Sequence, residues 1–234
     1  MKWSLIARSF LGLLYPKLCE ACGTTLNTHE EVLCLRCLNL LPRTNFWNEP
    51  DNPVDRIFWG RVQIEHACAL FPFVKGSRYR KLIHSLKYHG KREIGIMLGR
   101  LLGQELKNSP FYQTIDTIVP VPLHPKKQYM RGYNQCEQIA IGIARATGWA
   151  INTTALSRQI FTNTQTRRIS QINRWVNVSE VFHLNDPDVL KNKHILLVDD
   201  VLTSGSTLDA CATQLQKIEG CKISIAVLSY IKRH

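Results

Sequence analysis

The sequence predicts an α/β fold, a parallel sheet flanked by helices on both faces, with a small four-cysteine zinc element at the amino terminus. Three observations predict it. Short apolar runs alternate with segments of helical periodicity from residue 66 onward. The runs are nearly continuous in apolar residues, which is typical of parallel strands buried on both faces. Two Cys-x-x-Cys pairs precede them, at residues 19–22 and 34–37.

Length and composition are those of an ordinary folded protein. The chain has 234 residues, of which 44% are hydrophobic and 21% are charged. These values exclude a disordered chain, a collagen-like fibre and a long coiled coil, and the length permits a sizeable core. No apolar run reaches the ~18 residues that a membrane-spanning helix needs, so we expect no transmembrane segment.

The positive charge is concentrated in two central stretches. The formal net charge is +12, and residues 75–92 hold seven basic and no acidic residues. Residues 117–174 hold eight basic residues and one acidic residue, Glu137. Such a distribution favours polyanionic partners, namely phosphate, pyrophosphate or nucleic acid, with a merely solubilising basic surface as the alternative.

The first 14 residues resemble a signal peptide only in part. Lys2 precedes an apolar stretch, but Arg8 and Ser9 interrupt it and no small-residue cleavage site follows. We therefore predict an amphipathic helix that packs against the protein or lies on a membrane surface. The expected location is cytoplasmic, with the inner face of the membrane as the alternative.

The two cysteine pairs predict a metal site. Each pair, Cys19 with Cys22 and Cys34 with Cys37, fits a tight turn, so four thiolates can converge on one cation. Four sulfur ligands suit zinc and leave no place for substrate, which indicates a structural metal. A pair of disulfides and an iron–sulfur centre are the alternatives.

The remaining elements follow from apolar runs, helical spacing and turn residues. We expect residues 1–45 to form the helix and cysteine element, 46–64 a linker, and 65–234 the α/β domain. The predicted elements are strands at 66–74, 115–119, 193–199 and 223–231, helices at 77–106 with a break near Gly90, 133–146 and 208–219, and a basic loop at 158–174.

The segment 195–207 carries the chemistry. Four apolar residues end at Asp199 and Asp200, and a loop rich in hydroxyl groups and glycine then leads into a helix. Backbone amides and hydroxyls of residues 203–207 can surround a phosphate at the helix amino terminus. The two carboxylates fit a sugar diol or a magnesium ion beside that phosphate. A simple strand end with a helix cap is the alternative, and it explains only part of the segment.

This segment resembles the signature of type I phosphoribosyltransferases, which bind phosphoribosyl pyrophosphate (PRPP). Four further segments, added to the signature, resemble the ComF family of phosphoribosyltransferase-like proteins, which is associated with DNA uptake in natural competence. They are the paired Cys-x-x-Cys, Leu-Lys-Tyr-His-Gly at 86–90, Val-Pro-Val-Pro-Leu-His-Pro at 119–125 and Arg-Gly-Tyr-Asn-Gln at 131–135.

The resemblance implies a set of site residues. Asp199 and Asp200 are the expected catalytic pair, holding the ribose hydroxyls with Mg²⁺ as cofactor. The expected phosphate-binding residues are Val201, Leu202, Thr203, Ser204, Gly205, Ser206 and Thr207. The expected pyrophosphate-binding residues are Val121, Leu123, His124, Lys87 and Arg131, and Arg167 and Arg168 are expected in a flap that closes over the pyrophosphate.

A second expected surface binds single-stranded DNA. The run at 78–89 interleaves basic and aromatic residues, so cations can follow a nucleic-acid backbone while tyrosines stack on bases. The expected DNA-binding residues are Arg78, Arg80, Lys81, Lys87 and Tyr88. A helicase or another part of the uptake machinery is a further candidate partner, docked by the cysteine element.

Two functions remain open at this stage. The first is a ComF-type protein that binds PRPP with Mg²⁺ and single-stranded DNA during DNA uptake. The alternative is an active phosphoribosyltransferase of nucleotide metabolism that acts on an unidentified nucleophile and is unrelated to DNA. Either function requires Asp200 and Gly205 to face a cavity rather than the packed interior.

Overall fold

The computed structural model of the chain describes residues 16–159 and 181–232. Its main sheet has five strands, all parallel, in the order β1-β7-β6-β2-β3. They are β1 His66–Pro72, β2 Thr117–Pro120, β3 Ala150–Ile151, β6 His194–Leu202 and β7 Lys222–Tyr230. A separate antiparallel pair joins β4, Leu156–Arg158, to β5, Phe182–Leu184.

Six α-helices accompany the strands within the described residues. They are α1 Leu35–Asn39, α2 Arg80–Tyr88, α3 Arg92–Asn108, α4 Pro125–Arg131, α5 Gln135–Thr147 and α6 Ser206–Leu215. Short 3₁₀ helices occur at Phe46–Asn48, Asp55–Ile57, Pro110–Tyr112 and Asp188–Leu190. The predicted α/β fold and the predicted break near Gly90 are both confirmed.

The sheet is buried on both faces, as its apolar strands predict. In β6, Leu196 and Val198 belong to a hydrophobic cluster with α2, α3 and α5. Ile195 and Leu197 belong to a second cluster that includes α6. Because neighbouring side chains of a strand point to opposite faces, one apolar run supplies both clusters.

Strand β6 is longer than the sequence predicts. The expected end at Asp199 is wrong, because the strand continues to Leu202 and pairs Val201 with Ser229 and Leu202 with Tyr230 of β7. Val201 and Leu202, which follow the two aspartates, are apolar and pair with β7 as the residues before the aspartates do. Both aspartates therefore lie inside a rigid strand rather than in the loop that follows it.

The cysteine element and the predicted linker pack against the α/β domain. Trp47, Val54 and Phe58, all within residues 46–64, are buried in the two hydrophobic clusters. The Tyr79 hydroxyl, at the start of α2, donates a hydrogen bond of 2.9 Å to the Cys37 carbonyl. The three-part division of the chain stays a prediction.

The predicted amino-terminal helix lies outside the described residues. Within the described ranges, no helix combines the length and the apolarity needed to cross a bilayer.

Candidate functional site

The candidate site lies where β2 and β6 end. These neighbouring parallel strands run toward the same edge of the sheet, where residues 121–124 follow β2 and residues 203–207 follow the longer β6. Gly205 has a φ of 84° and is the N-cap of α6, a conformation that side-chain-bearing residues rarely adopt. The Ser204 and Ser206 hydroxyls are 3.0 Å apart, so this loop gathers polar groups at a helix amino terminus, as predicted.

Asp199 is held from two sides. Its Oδ1 accepts a hydrogen bond of 2.8 Å from the Asp200 amide and one of 3.2 Å from the Cys136 thiol. Burial and, next, the charge of Asp200 raise the pKa of Asp199 to about 6, although Lys87 opposes the shift. One carboxylate oxygen is thus fixed by the protein's own donors.

Asp200 is only 3% exposed, and its partner is Lys87 of α2. The lysine Nζ lies 2.8 Å from Asp200 Oδ1, while the buried Oδ2 has no hydrogen-bond partner among the described residues. Burial would lower the pKa of Lys87, but the charge of Asp200 raises it above its ordinary value. Lys87 was expected on pyrophosphate and on DNA, and instead it covers this carboxylate.

The expectation that Asp200 and Gly205 face a cavity is not met in this conformation. Asp200 is covered by Lys87, and Gly205 is buried beneath Ile57, Phe58 and Arg61. A cavity of about 770 Å³ lies on the far side of Arg61, lined by residues 60–65, Gln216 and residues 220–223 near the start of β7. Lys87 occupies Oδ1 of the buried Asp200, whereas Thr203 and Ser206 are exposed.

The expected pyrophosphate residues are only partly arranged for an anion. The Val121 amide was expected to donate to pyrophosphate, but it donates instead to the Val198 carbonyl at 2.9 Å and so extends the sheet. His124 Nδ1 accepts from the Lys126 amide and caps α4. The Arg131 guanidinium donates to the Gln135 side chain. Leu123 lies between these groups and is half-buried.

Four cations interact electrostatically at this edge. Burial and then the positive charges of Arg158, Arg131 and Lys87 lower the pKa of Lys127. Arg158 was expected at the start of the basic loop 158–174, and it is instead the last residue of strand β4. The predicted flap residues Arg167 and Arg168 lie outside the described residues.

The expected DNA-binding residues separate into two groups. Arg78 is exposed and contacts the Cys37 sulfur at 3.9 Å, whereas Lys87 is half-buried and contacts Asp200. Tyr79, expected as a stacking side chain, is 6% exposed because its ring packs in the core. Arg80, Lys81 and Tyr88 are exposed, as Arg78 is, but have no such contact with a cysteine or a carboxylate among the ion pairs and hydrogen bonds of the described residues.

The four predicted cysteines do come together. The ligand atoms of Cys19, Cys22, Cys34 and Cys37 all lie within 4.8 Å of one another, and none forms a disulfide. The Cys22 and Cys34 sulfurs are 3.7 Å apart. Zn–S bonds of about 2.3 Å would place the sulfurs of a tetrahedral site roughly 3.8 Å apart. The cluster therefore fits a four-coordinate metal ion.

Sequence reasoning missed two residues at the site. Cys136 was not singled out, and its thiol donates a hydrogen bond to Asp199. Arg61 was not singled out, and its guanidinium donates 2.7 Å to the Ser204 carbonyl and also pairs with Asp209 of α6. Arg61 therefore fixes the backbone of the loop by binding one of its carbonyl oxygens, that of Ser204. Its distance in sequence from that loop left no local signal.

Comparison with known proteins places this geometry in context. The profile of the phosphoribosyl transferase domain family matches residues 134–233. DNA utilization protein YhgH of Escherichia coli is 31% identical over 201 residues, covering 85% of this chain and 77% of that protein. The YhgH of Salmonella typhimurium is 35% identical over 137 residues, or 57% of this chain and 59% of that protein.

Two further similarities are shorter. Competence protein F of Haemophilus influenzae is 32% identical over 144 residues, covering 58% of this chain and 61% of that protein. The solved structure of the allosteric regulatory enzyme of purine biosynthesis is 22% identical, with a TM-score of 0.38 over 56% of this chain and 25% of that one. The chain thus spans less than two thirds of the Salmonella and Haemophilus relatives.

Proposed function

The chain belongs to the ComF family, and on that premise we propose that it binds a phosphorylated ribose and single-stranded DNA in DNA uptake. The relatives named for DNA utilization and competence support the DNA role. One observation carries the ribose phosphate role. Asp199 and Asp200 lie near the end of β6, two residues before a loop whose left-handed Gly205 is the N-cap of α6. Carboxylates suit a sugar diol, and the loop suits a phosphate.

The proposed ligand is PRPP with Mg²⁺. Mg²⁺ prefers oxygen ligands such as carboxylates. The buried Oδ2 of Asp200, which has no hydrogen-bond partner among the described residues, could therefore be a ligand of the ion. The ion would supply neutralisation of the pyrophosphate charge. The nearby cations Lys127, Arg131 and Arg158 would attract the same anion, and Lys87 would move from Asp200 to the incoming phosphate groups.

Calorimetry tests this proposal directly. We expect PRPP with Mg²⁺ to bind the wild type, and Asp199→Asn with Asp200→Asn to weaken binding at least about 100-fold, because each hydrogen bond to a charged group contributes ~1.5–3 kcal/mol. Asp188→Asn is the control, since Asp188 is 77% exposed in the 3₁₀ helix before β6. Absence of heat with the wild type would refute the proposal.

The same titration has an expected pH dependence. Because the pKa of Asp199 is raised to about 6, lowering the pH through that value protonates the carboxylate. A neutral carboxyl group accepts hydrogen bonds more weakly than a carboxylate, so the affinity for PRPP should decrease as the pH is lowered through this value. The Asp199→Asn variant should lack this component, which separates it from protonation of the ligand's own phosphate.

We propose zinc as the ion of the cysteine cluster, in a structural role. We expect one zinc per chain by elemental analysis, and removal by a chelator should lower the thermal midpoint of unfolding because the ion joins the two cysteine pairs. Cys37→Ser should lose the zinc. Cys221→Ser, outside the cluster, should keep it. Full zinc content in Cys37→Ser would contradict the assignment.

A second candidate function is phosphoribosyl transfer to an unidentified nucleophile, unrelated to DNA. The match of residues 134–233 to the phosphoribosyl transferase domain favours it. In that case the enclosed carboxylates would stabilise positive charge that develops on the ribose, while the cations hold the leaving pyrophosphate. Release of pyrophosphate from PRPP, assayed with candidate acceptors, distinguishes transfer from binding alone.

A further inference from the structure

Helix α4 has an unusual surface for a folded protein. None of its seven residues, Pro125–Arg131, is buried. Tyr129 is 92% exposed and Met130 is 81% exposed, at consecutive positions of this short helix. Large adjacent apolar side chains left in water mark surfaces that contact another molecule. Helices this short are also marginal without such contacts.

The charges of α4 favour an anionic partner. The helix carries Lys126, Lys127 and Arg131, and no acidic residue occurs between Asp116 and Glu137. Interleaved cations and exposed aromatic rings are the combination with which proteins hold single strands, because cations follow phosphates while rings stack on bases.

The same combination continues onto α2. The Arg131 guanidinium lies 5.7 Å from the centre of the Tyr88 ring, which is 67% exposed. The Tyr88 ring is 4.9 Å from that of His84. Arg80, His84 and Tyr88 recur every fourth residue, so they share one face of the helix. The α2–α4 surface comprises Arg80, His84, Tyr88, Lys126, Tyr129 and Arg131.

We propose that the α2–α4 surface is the path of a single-stranded nucleic acid and that this path converges on the ribose phosphate site, so that the two ligands compete. The inference rests on the proposed function, which it extends by naming the strand's contacts. The residues that it adds to those the sequence assigned to DNA are His84, Lys126, Tyr129 and Arg131. The residues that it leaves out are Arg78, Lys81 and Lys87.

The convergence follows from shared residues. Tyr88 of the surface adjoins Lys87, whose Nζ contacts Asp200 at 2.8 Å. Lys127 of α4 is near enough to Lys87, Arg131 and Arg158 for their charges to lower its pKa. A strand on α4 and a pyrophosphate at the carboxylates would draw on the same cations. Coupling of this kind is reciprocal, so each ligand weakens the other by the same factor.

Fluorescence anisotropy with a labelled oligothymidine of about 20 nucleotides tests the path. We expect Tyr129→Ala to weaken binding about 5- to 100-fold, since stacking on one base contributes ~1–3 kcal/mol. Tyr129→Phe keeps the ring and should bind as wild type. Lys126→Gln should reduce the slope of log affinity against log salt by about one.

The matched control is Trp59→Ala. Trp59 is 58% exposed and lies beneath the Arg56 guanidinium at 5.8 Å, so it is another exposed arginine–aromatic pair, outside the α2–α4 surface. It should not change the affinity. Equal affinity of wild type and Tyr129→Ala would overturn the inference while leaving DNA binding intact. Displacement of the oligonucleotide by polyglutamate at equal charge concentration would also overturn it, because a protein partner would then fit as well.

Competition is measured in the same assay. PRPP with Mg²⁺ should raise the apparent Kd of the oligonucleotide, with ionic strength matched by added salt. In Asp199→Asn the strand should still bind but PRPP should no longer compete. Unchanged strand affinity at saturating PRPP would refute the convergence. A wild type that binds PRPP but no oligonucleotide would refute both the path and the DNA part of the proposed function.

Discussion

Gly99→Ala is expected to destabilise the protein by about 3 kcal/mol, the upper part of the range for overpacked cores. Helices α3 and α5 cross at this residue, and a Cβ on Gly99 would lie 2.2 Å from the Ile139 carbonyl oxygen. The obstacle is backbone, so no rotamer change relieves it. The helices would have to separate, which would disturb the cluster that covers one face of the sheet.

Chemical denaturation followed by circular dichroism measures this effect. Gly95→Ala on the same helix is the graded control, because its Cβ would meet the Gln138 Cβ and the Leu86 side chain at about 3 Å rather than a backbone oxygen. Its loss should be smaller. Alanine favours helix over glycine by roughly 1 kcal/mol, so a Gly99→Ala protein at least as stable as wild type would refute the close crossing.

The second large effect is expected from Lys87→Met. Removing the lysine leaves Asp200 buried without a charged partner, and breaking such a pair costs about 3–5 kcal/mol. The double variant Lys87→Met with Asp200→Asn should recover much of the lost free energy of unfolding.

Lys91→Met supplies the comparison. Lys91 also pairs with a carboxylate at 2.8 Å, that of Glu20, but its side chain is 44% exposed. Exposed pairs contribute about 0–1 kcal/mol, so this variant should remain close to wild type. If the two lysine variants lost similar free energies of unfolding, the strength of the contact between Lys87 and Asp200 could not be due to the burial of Asp200.

Several features of the molecule follow from local sequence. Apolar runs predicted the parallel strands, and helical spacing predicted the break between α2 and α3. The spacing of Cys19, Cys22, Cys34 and Cys37 predicted a cluster that the structure brings together. Loop 203–207 lies where its glycine and hydroxyl groups predicted. Each of these predictions depends on a short segment of the chain, in which residues that are close in sequence are also close in space.

Which side chains meet across the molecule was decided by the tertiary structure alone. The basic run around α2 predicted DNA contacts, but packing turned Tyr79 into the core and placed Lys87 on Asp200. Arg61 reaches the Ser204 carbonyl from 143 residues away. A pattern of residue types determines whether a segment forms a helix or a strand and which of its faces is apolar. Which carboxylate a lysine or arginine contacts depends instead on how the helices pack against the sheet. Sequence by itself thus determined the fold and the chemical groups of the site, and docking decided which of them are paired.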